Sequence, residues 1–218
     1  MTGRLSIKRS AAGFTIVELM IATAVFSVVL LLATSGLLQI TRTYYKGVTE
    51  ANTQNTARTI IGTVAQAIQF DGGTVQPTNG SNPRTTYDFC VGNTRFRYYL
   101  GSELMTSPTS VQTYHALLQD SAAGCTSGAD GSSINSSSVS CTTATNCSEL
   151  VSPNMRLSQF SVTSLGSNLY QIKVTVVYGD DDLLDSPTST SPNCLGVEAG
   201  TQFCAVSKIS TTVLKRVE

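Results

Sequence analysis

From Leu19 to Thr41 the chain carries no charged residue, and between Gly13 and Gln39 the single exception is Glu18. A helix needs about 20 predominantly apolar residues to cross the hydrocarbon core of a bilayer, and this run is long enough. The chain must therefore begin with an apolar helix that a small water-soluble core cannot absorb. Arg4, Lys8 and Arg9 stand immediately before the run, and positive charge on that flank predicts a cytoplasmic N-terminus with the rest exported. All six cysteines lie beyond the run, in a stretch rich in Ser, Thr, Gly and Asn, as suits an oxidising compartment. Formal net charge is zero, so the chain lacks the basic footprint that nucleic-acid binding requires.

An ordinary secretory signal would have an apolar region of about 7–15 residues followed by a small-x-small cleavage site. Ala33-Thr34-Ser35-Gly36 offers small residues for such a cut. That reading leaves Glu18 unexplained, because a carboxylate within an apolar helix is costly and usually marks a function.

The heptapeptide Gly13-Phe14-Thr15-Ile16-Val17-Glu18-Leu19, preceded by a basic leader and followed by an uninterrupted apolar helix, resembles the processing site of type IV prepilins and type II secretion pseudopilins. The resemblance implies cleavage between Gly13 and Phe14 by a membrane-embedded prepilin peptidase, then methylation of the new Phe14 amine. Glycine suits the cleavage position because it lets a protease approach the backbone closely. The Phe14 ammonium would then be a charge in apolar surroundings, and Glu18, four residues on and on the same helical face, can neutralise it within a subunit or across to a neighbour. Such a pair sets register more reliably than it adds stability. The partners implied are prepilin peptidase, other pilin or pseudopilin subunits, the cytoplasmic membrane and the assembly platform. No nucleic-acid or small-molecule partner and no cofactor is expected.

No proline precedes Pro77, and the sequence predicts one helical rod over residues 14–70, about 85 Å long at 1.5 Å per residue. Residues 1–13 read as the leader, 14–40 as the transmembrane half and 41–70 as an amphipathic half. In the latter Tyr44, Val48, Ala51, Ala57, Ile61, Val64 and Ile68 follow helical spacings and predict one packed face. Ser35-Gly36 is a small pair where the membrane half can kink or pack closely on another helix.

Residues 71–218 read as the exported head. Asp71-Gly72-Gly73 stops the helix. Gly92-Asn93 joins strands at 87–91 and 94–100 in a hairpin, and residues 111–118 fit a strand or a short helix equally. Residues 124–149 read as an irregular surface loop. Strands at 157–165 and 169–178, joined by Gly166-Ser167-Asn168, follow, with Ile172, Val174, Val176 and Tyr178 facing in and Gln171, Lys173 and Thr175 facing out. A last strand is predicted over 203–216. The fold class is α+β: the pilin fold, with a long helix packed on an antiparallel sheet whose loops are tied by disulfides.

Proximity pairs Cys194 with Cys204 and Cys141 with Cys147, leaving Cys90 with Cys125. Asp180, Asp181, Asp182 and Asp185 form the one acidic cluster and a weak calcium candidate, since some pseudopilins bind calcium. Their spacing matches no EF-hand, and a solvated turn is the stronger reading. His115, the only histidine, has no nucleophile motif near it and reads as a surface or partly packed residue. No catalytic residue is expected. Residues 170–184 and 204–216 look like those of J/W-type minor pilins or pseudopilins. The function implied is a minor structural subunit that helps initiate a filament or build its tip, in support of adhesion, DNA uptake, motility or secretion. The alternatives are a major subunit or a membrane-anchored enzyme or binding protein.

Overall fold

The fold is taken from a computed structural model that describes residues 13–82, 85–104, 115–129, 147–186, 189, 191–196 and 200–216. The chain divides into two units, residues 1–43 and 44–218, and the helix α1 (Ile16–Phe70) runs through both.

In the first unit every described side chain is exposed, although most are apolar. The few hydroxyls there are satisfied inside the helix. Thr23 donates to the Leu19 carbonyl at 3.0 Å, Ser27 to Thr23 at 2.7 Å, Thr34 to Leu30 at 2.8 Å and Thr41 to Leu37 at 2.9 Å. A helix whose backbone donors and hydroxyls are satisfied internally is what a lipid environment tolerates. This helix is long and apolar enough to cross a membrane.

The second unit begins at Tyr44. Its strands are β1 (Val75–Gln76), β2 (Thr78–Gly80), β3 (Thr86–Val91), β4 (Thr94–Tyr99), β5 (Leu117–Ser121), β6 (Gly128–Ala129), β7 (Ser148–Glu149), β8 (Met155–Gly166), β9 (Leu169–Tyr178) and β10 (Ala205–Leu214). Among the described residues they form two antiparallel sheets, where the sequence predicted one. The first runs β1-β3-β4-β5-β7, with β6 pairing to β3, and the second runs β10-β9-β8-β2. The difference lies in the pairing of the longer strands, since β3, β4 and β5 pair with one another and β8, β9 and β10 with one another. The sequence also missed β1, β2, β6 and β7, strands of two or three residues. They are too short for a periodic signal and are held by tertiary pairing.

Both long hairpins are closed by two-residue turns. Gly92 has φ 56°, and Ser167 and Asn168 have φ 52° and 59°. Positive φ in these positions matches the right-handed twist of the flanking strands. The β10 register runs from Ala205 opposite Tyr178 to Leu214 opposite Leu169. Phe203, assigned from sequence to the last strand, instead ends a 3-10 turn, Thr201–Phe203.

Helix and sheets share one core. Ile60, Val64 and Ile68 from α1 are fully buried with Phe89, Phe96, Tyr98, Leu157, Phe160, Ile172 and Val176. The Tyr98 and Phe160 rings lie 4.7 Å apart. Tyr98 is hydrogen-bonded to the Thr78 hydroxyl at 3.2 Å, and burial pushes its phenol well above the usual range. At the end of α1, Gly73 lies so close to the hairpin turn that a Cβ there would sit 2.1 Å from the Gly92 Cα.

Two expectations about faces are corrected. On α1, Tyr44, Val48 and Ala51 are exposed, and the face that packs near them is Thr49, Thr53 and Thr56. Threonine can be buried there because Thr49 donates to the Tyr45 carbonyl at 2.9 Å and Thr53 to Thr49 at 2.8 Å. On β9, Thr175 is 1% exposed, not outward-facing, and Val177 is covered by Leu184 and Cys204 in a second small cluster. Leu184 and Cys204 thus cover this end of the sheet on the face away from the main core.

Candidate functional site

The N-terminal turn of α1 is built by four residues. Thr15 precedes the first helical residue and Glu18 is the third residue inside. The Glu18 N–H donates to the Thr15 hydroxyl oxygen at 3.2 Å. In return Glu18 Oε2 accepts the Thr15 backbone N–H at 3.0 Å and the Thr15 hydroxyl at 2.9 Å. This is a capping box, in which two donors left free by the start of a helix satisfy each other's side chains. It starts the helix after Thr15 and leaves Gly13 and Phe14 outside it. The Glu18 carboxylate is thereby folded back to within one residue of the Phe14 nitrogen, and Phe14 itself is 89% exposed.

Further along, α1 passes through Ser35 and Gly36 as helix. Ser35 donates to the Leu32 carbonyl at 3.0 Å, and a Cβ on Gly36 would meet nothing within 4 Å. The surface over this pair is open to a neighbouring helix.

In the head the charged residues form pairs across strands. Arg97 donates to both carboxylate oxygens of Asp88 at 2.8 and 3.0 Å, and Arg95 donates to Asp120 at 2.8 Å. Each pair is directly opposed in register. Arg95 and Arg97 share one face of β4, while Phe96 and Tyr98 enter the core from the other.

The acidic cluster does not converge. Asp181 pairs with Arg156, a side chain only 3% exposed, whose Nη2 also donates to the Gly179 carbonyl at 2.7 Å and lies 3.5 Å from Glu103. Asp185 instead accepts the Asn193 backbone N–H at 2.8 Å, which holds its carboxyl below the usual range. Of the four acids, Asp181 thus has the Arg156 guanidinium beside it and Asp185 has Asn193. Among the described residues no three His, Cys, Asp or Glu side chains gather as a metal site would need. Glu103 is pushed upward by burial, with Arg156 opposing the shift.

Cys90 is joined to Cys125 and Cys194 to Cys204, with Cα–Cα distances of 5.9 and 5.8 Å. Cys147 is also disulfide-bonded, and Cys141, the partner expected for it, lies outside the described residues. The first disulfide ties β3 to the segment carrying β6, and the second closes the loop ahead of β10. His115 is buried, 5% exposed, with Nδ1 at 3.1 Å from Glu149. It is a packed residue just ahead of β5, the second of the two readings open from sequence.

Sequence reasoning treated Glu18 only as a charge and passed over Thr15, although T-x-x-E ahead of an apolar run is itself a helix-start signature. It also missed Arg156, whose burial depends on a pairing that no local pattern announces. Tyr45 and Phe203 were missed too, and their rings meet at 5.8 Å.

No curated protein and no solved structure matches the chain. Residues 8–34 match the family model of the prokaryotic N-terminal methylation motif. That match covers Lys8 and Arg9 of the basic flank, Gly13, Phe14, the Thr15–Glu18 turn and most of the apolar run. The chain thus carries a type IV pilin-like prepilin signal, on a membrane-length helix that continues into a disulfide-tied antiparallel β head.

Proposed function

We propose that the chain is a minor subunit of a type IV pilus or type II secretion pseudopilus, and that it helps initiate the filament or build its tip. The methylation motif at residues 8–34 carries this reading, because it implies processing by prepilin peptidase and assembly with other pilins. In the proposal the peptidase cuts between Gly13 and Phe14, the Phe14 amine is methylated, and Glu18 neutralises it in its own or a neighbouring subunit. The precursor stands in the cytoplasmic membrane with its N-terminus cytoplasmic and its head exported, and then enters a filament through the assembly platform. Ser35-Gly36, with its open surface, is where the membrane half meets a neighbouring helix or loosens on assembly.

The capping box supports the charge-pair role, since it already holds the carboxylate against Thr15, the residue next to the nitrogen that cleavage will charge. The J/W-like look of residues 170–184 and 204–216 supports a minor rather than a major subunit. A zero net charge favours a cap that supports adhesion, motility or secretion over a receptor for DNA. Quantitative mass spectrometry of sheared filaments tests the assignment. The protein should be present at a small fraction of the dominant subunit, with filament number falling when it is deleted. Finding it as the dominant band would make it the major subunit.

A further inference from the structure

Few large apolar side chains among the described residues of the head face solvent. Among the described residues beyond Val48 they are Phe70, Leu165, Phe203 and Leu214, and Phe203 alone of these packs against an exposed aromatic residue at the start of the head. Its ring lies 5.8 Å from that of Tyr45, which lies 6.1 Å from that of Tyr44. Tyr44, Tyr45 and Phe203 are 68%, 48% and 43% exposed, and Val48 beside them is 40% exposed. Phe203 is held there by structure: it ends the 3-10 turn, donating its N–H to the Gly200 carbonyl at 2.8 Å, and the next residue is the disulfide-bonded Cys204.

The position of this patch along α1 decides what covers it. Arg42 is the first charge after Glu18, so its guanidinium belongs at the phosphate level of the exported face. Tyr45 follows three residues later, about 5 Å along the helix. The headgroup layer is about 5–7 Å deep on each side of the hydrocarbon core. Tyr44 and Tyr45 therefore fall within the layer where aromatic residues concentrate, flanked by Arg42 and Lys46, whose stems let their charges reach phosphates. Because Phe203 touches Tyr45, it shares that level, whatever the tilt of the helix. The opposite end of the same sheet is far away, since the Arg216 N–H donates to the Gln69 carbonyl and Gln69 is about 36 Å along α1 from Tyr45.

We infer that Tyr44, Tyr45 and Phe203 form a lipid-docking surface, by which the head rests the 3-10 turn Thr201–Phe203 on the headgroup layer of the membrane while the subunit awaits assembly. This rests on the membrane-anchored reading of α1. The partner is the lipid surface itself, bound by aromatic partition with two flanking cations. Asp180 lines the depression next to Phe203, so the contact is aromatic and not a general attraction to anionic lipid.

The chain has no tryptophan, so one introduced residue reports alone. Phe203→Trp, Phe26→Trp and Leu165→Trp versions of the full chain are reconstituted singly into phosphatidylethanolamine–phosphatidylglycerol vesicles, with and without brominated acyl chains. Phe26→Trp reports insertion of the helix. The expected result is strong quenching of Phe26→Trp, clear quenching and a blue shift of Phe203→Trp, and neither for Leu165→Trp. Quenched Phe26→Trp with unquenched Phe203→Trp overturns the docking surface and leaves the anchor intact. Equal quenching of Phe203→Trp and Leu165→Trp overturns it as well, because the head would then lie on the bilayer indiscriminately. Unquenched Phe26→Trp overturns the anchor and the docking surface together. A Phe203→Trp blue shift that disappears on diluting protein into lipid, without bromine quenching, assigns the patch to a second copy of the chain and also refutes the inference.

Discussion

Replacing Gly73 with alanine should destabilise the head, whereas the same change at Gly62 should stabilise it. At Gly73 the new methyl would lie 2.1 Å from the Gly92 Cα and 2.6 Å from the Gly92 nitrogen. Both are backbone atoms that no rotamer change can move. The hairpin turn must retreat by more than about 1 Å, and forced overpacking of this kind costs roughly 1–3 kcal/mol. The retreat also stretches the bond from the Gly92 N–H to the Thr74 carbonyl, now 3.2 Å, for about 1 kcal/mol more. Gly62 is an exposed residue inside α1 with nothing within 4 Å of its Cβ position. Alanine there gains about 0.8–1 kcal/mol of helix propensity. For a domain of this size 1 kcal/mol moves Tm by about 2–4 °C. Gly73→Ala should therefore lower Tm by roughly 5–12 °C, and Gly62→Ala should raise it by about 2–4 °C. Near-UV circular dichroism of the buried tyrosines, followed on heating the full chain in detergent, reads both. Equal Tm values for Gly73→Ala and wild type would refute the seating of the hairpin turn on the end of the helix.

Three substitutions separate the two roles open to Glu18. Glu18→Gln keeps a side chain that serves in a capping box but removes the charge, Glu18→Ala removes both, and Thr15→Ala weakens the cap alone. All three should be processed. Assembly, scored as filaments per cell, should fail alike in the two Glu18 variants and survive in Thr15→Ala; normal assembly of Glu18→Gln would reduce Glu18 to a helix cap. A pH titration of stability tests the Arg156 cluster. Because burial raises the Glu103 pKa in the folded state, folding favours the protonated form, and stability falls as pH rises through the carboxylate range toward the raised value. Glu103→Gln should thus be more stable than wild type at neutral pH, with the gain vanishing below the ordinary glutamate range; a gain unchanged by acid would show that ionisation is not its source.

Much of this architecture was legible before any coordinates. The bounds of α1 follow from the absence of proline before Pro77 and the Asp71-Gly72-Gly73 stop, and the helix ends at Phe70. The two long hairpins follow from Gly92-Asn93 and Gly166-Ser167-Asn168. The Thr49-Thr53-Thr56 face was illegible, because a hydropathy pattern counts threonine as polar, while in a helix its hydroxyl is satisfied one turn back and the methyl can be buried. The split into two sheets was illegible because it rests on which strands pair over a distance, β3 to β5 in one sheet and β8 to β10 in the other, and short strands such as β2 exist only through a distant partner, here β8. Arg156 follows the same logic: it is tolerated in the interior only because Asp181, Gly179 and Glu103 arrive there together. At the N-terminus the residues were legible and their local geometry was not, since the charge of Glu18 drew attention away from the hydroxyl three residues earlier.

The central claim is that Gly13 and Phe14 flank a processing site and that the helix beyond it is retained. N-terminal sequencing and intact mass of the protein isolated from cells with an active prepilin peptidase test it most directly. The account predicts a mature chain that begins at Phe14 and carries a methyl group on its amine. A chain that begins near Gly36, or one that keeps residues 1–13 despite the peptidase, would contradict it.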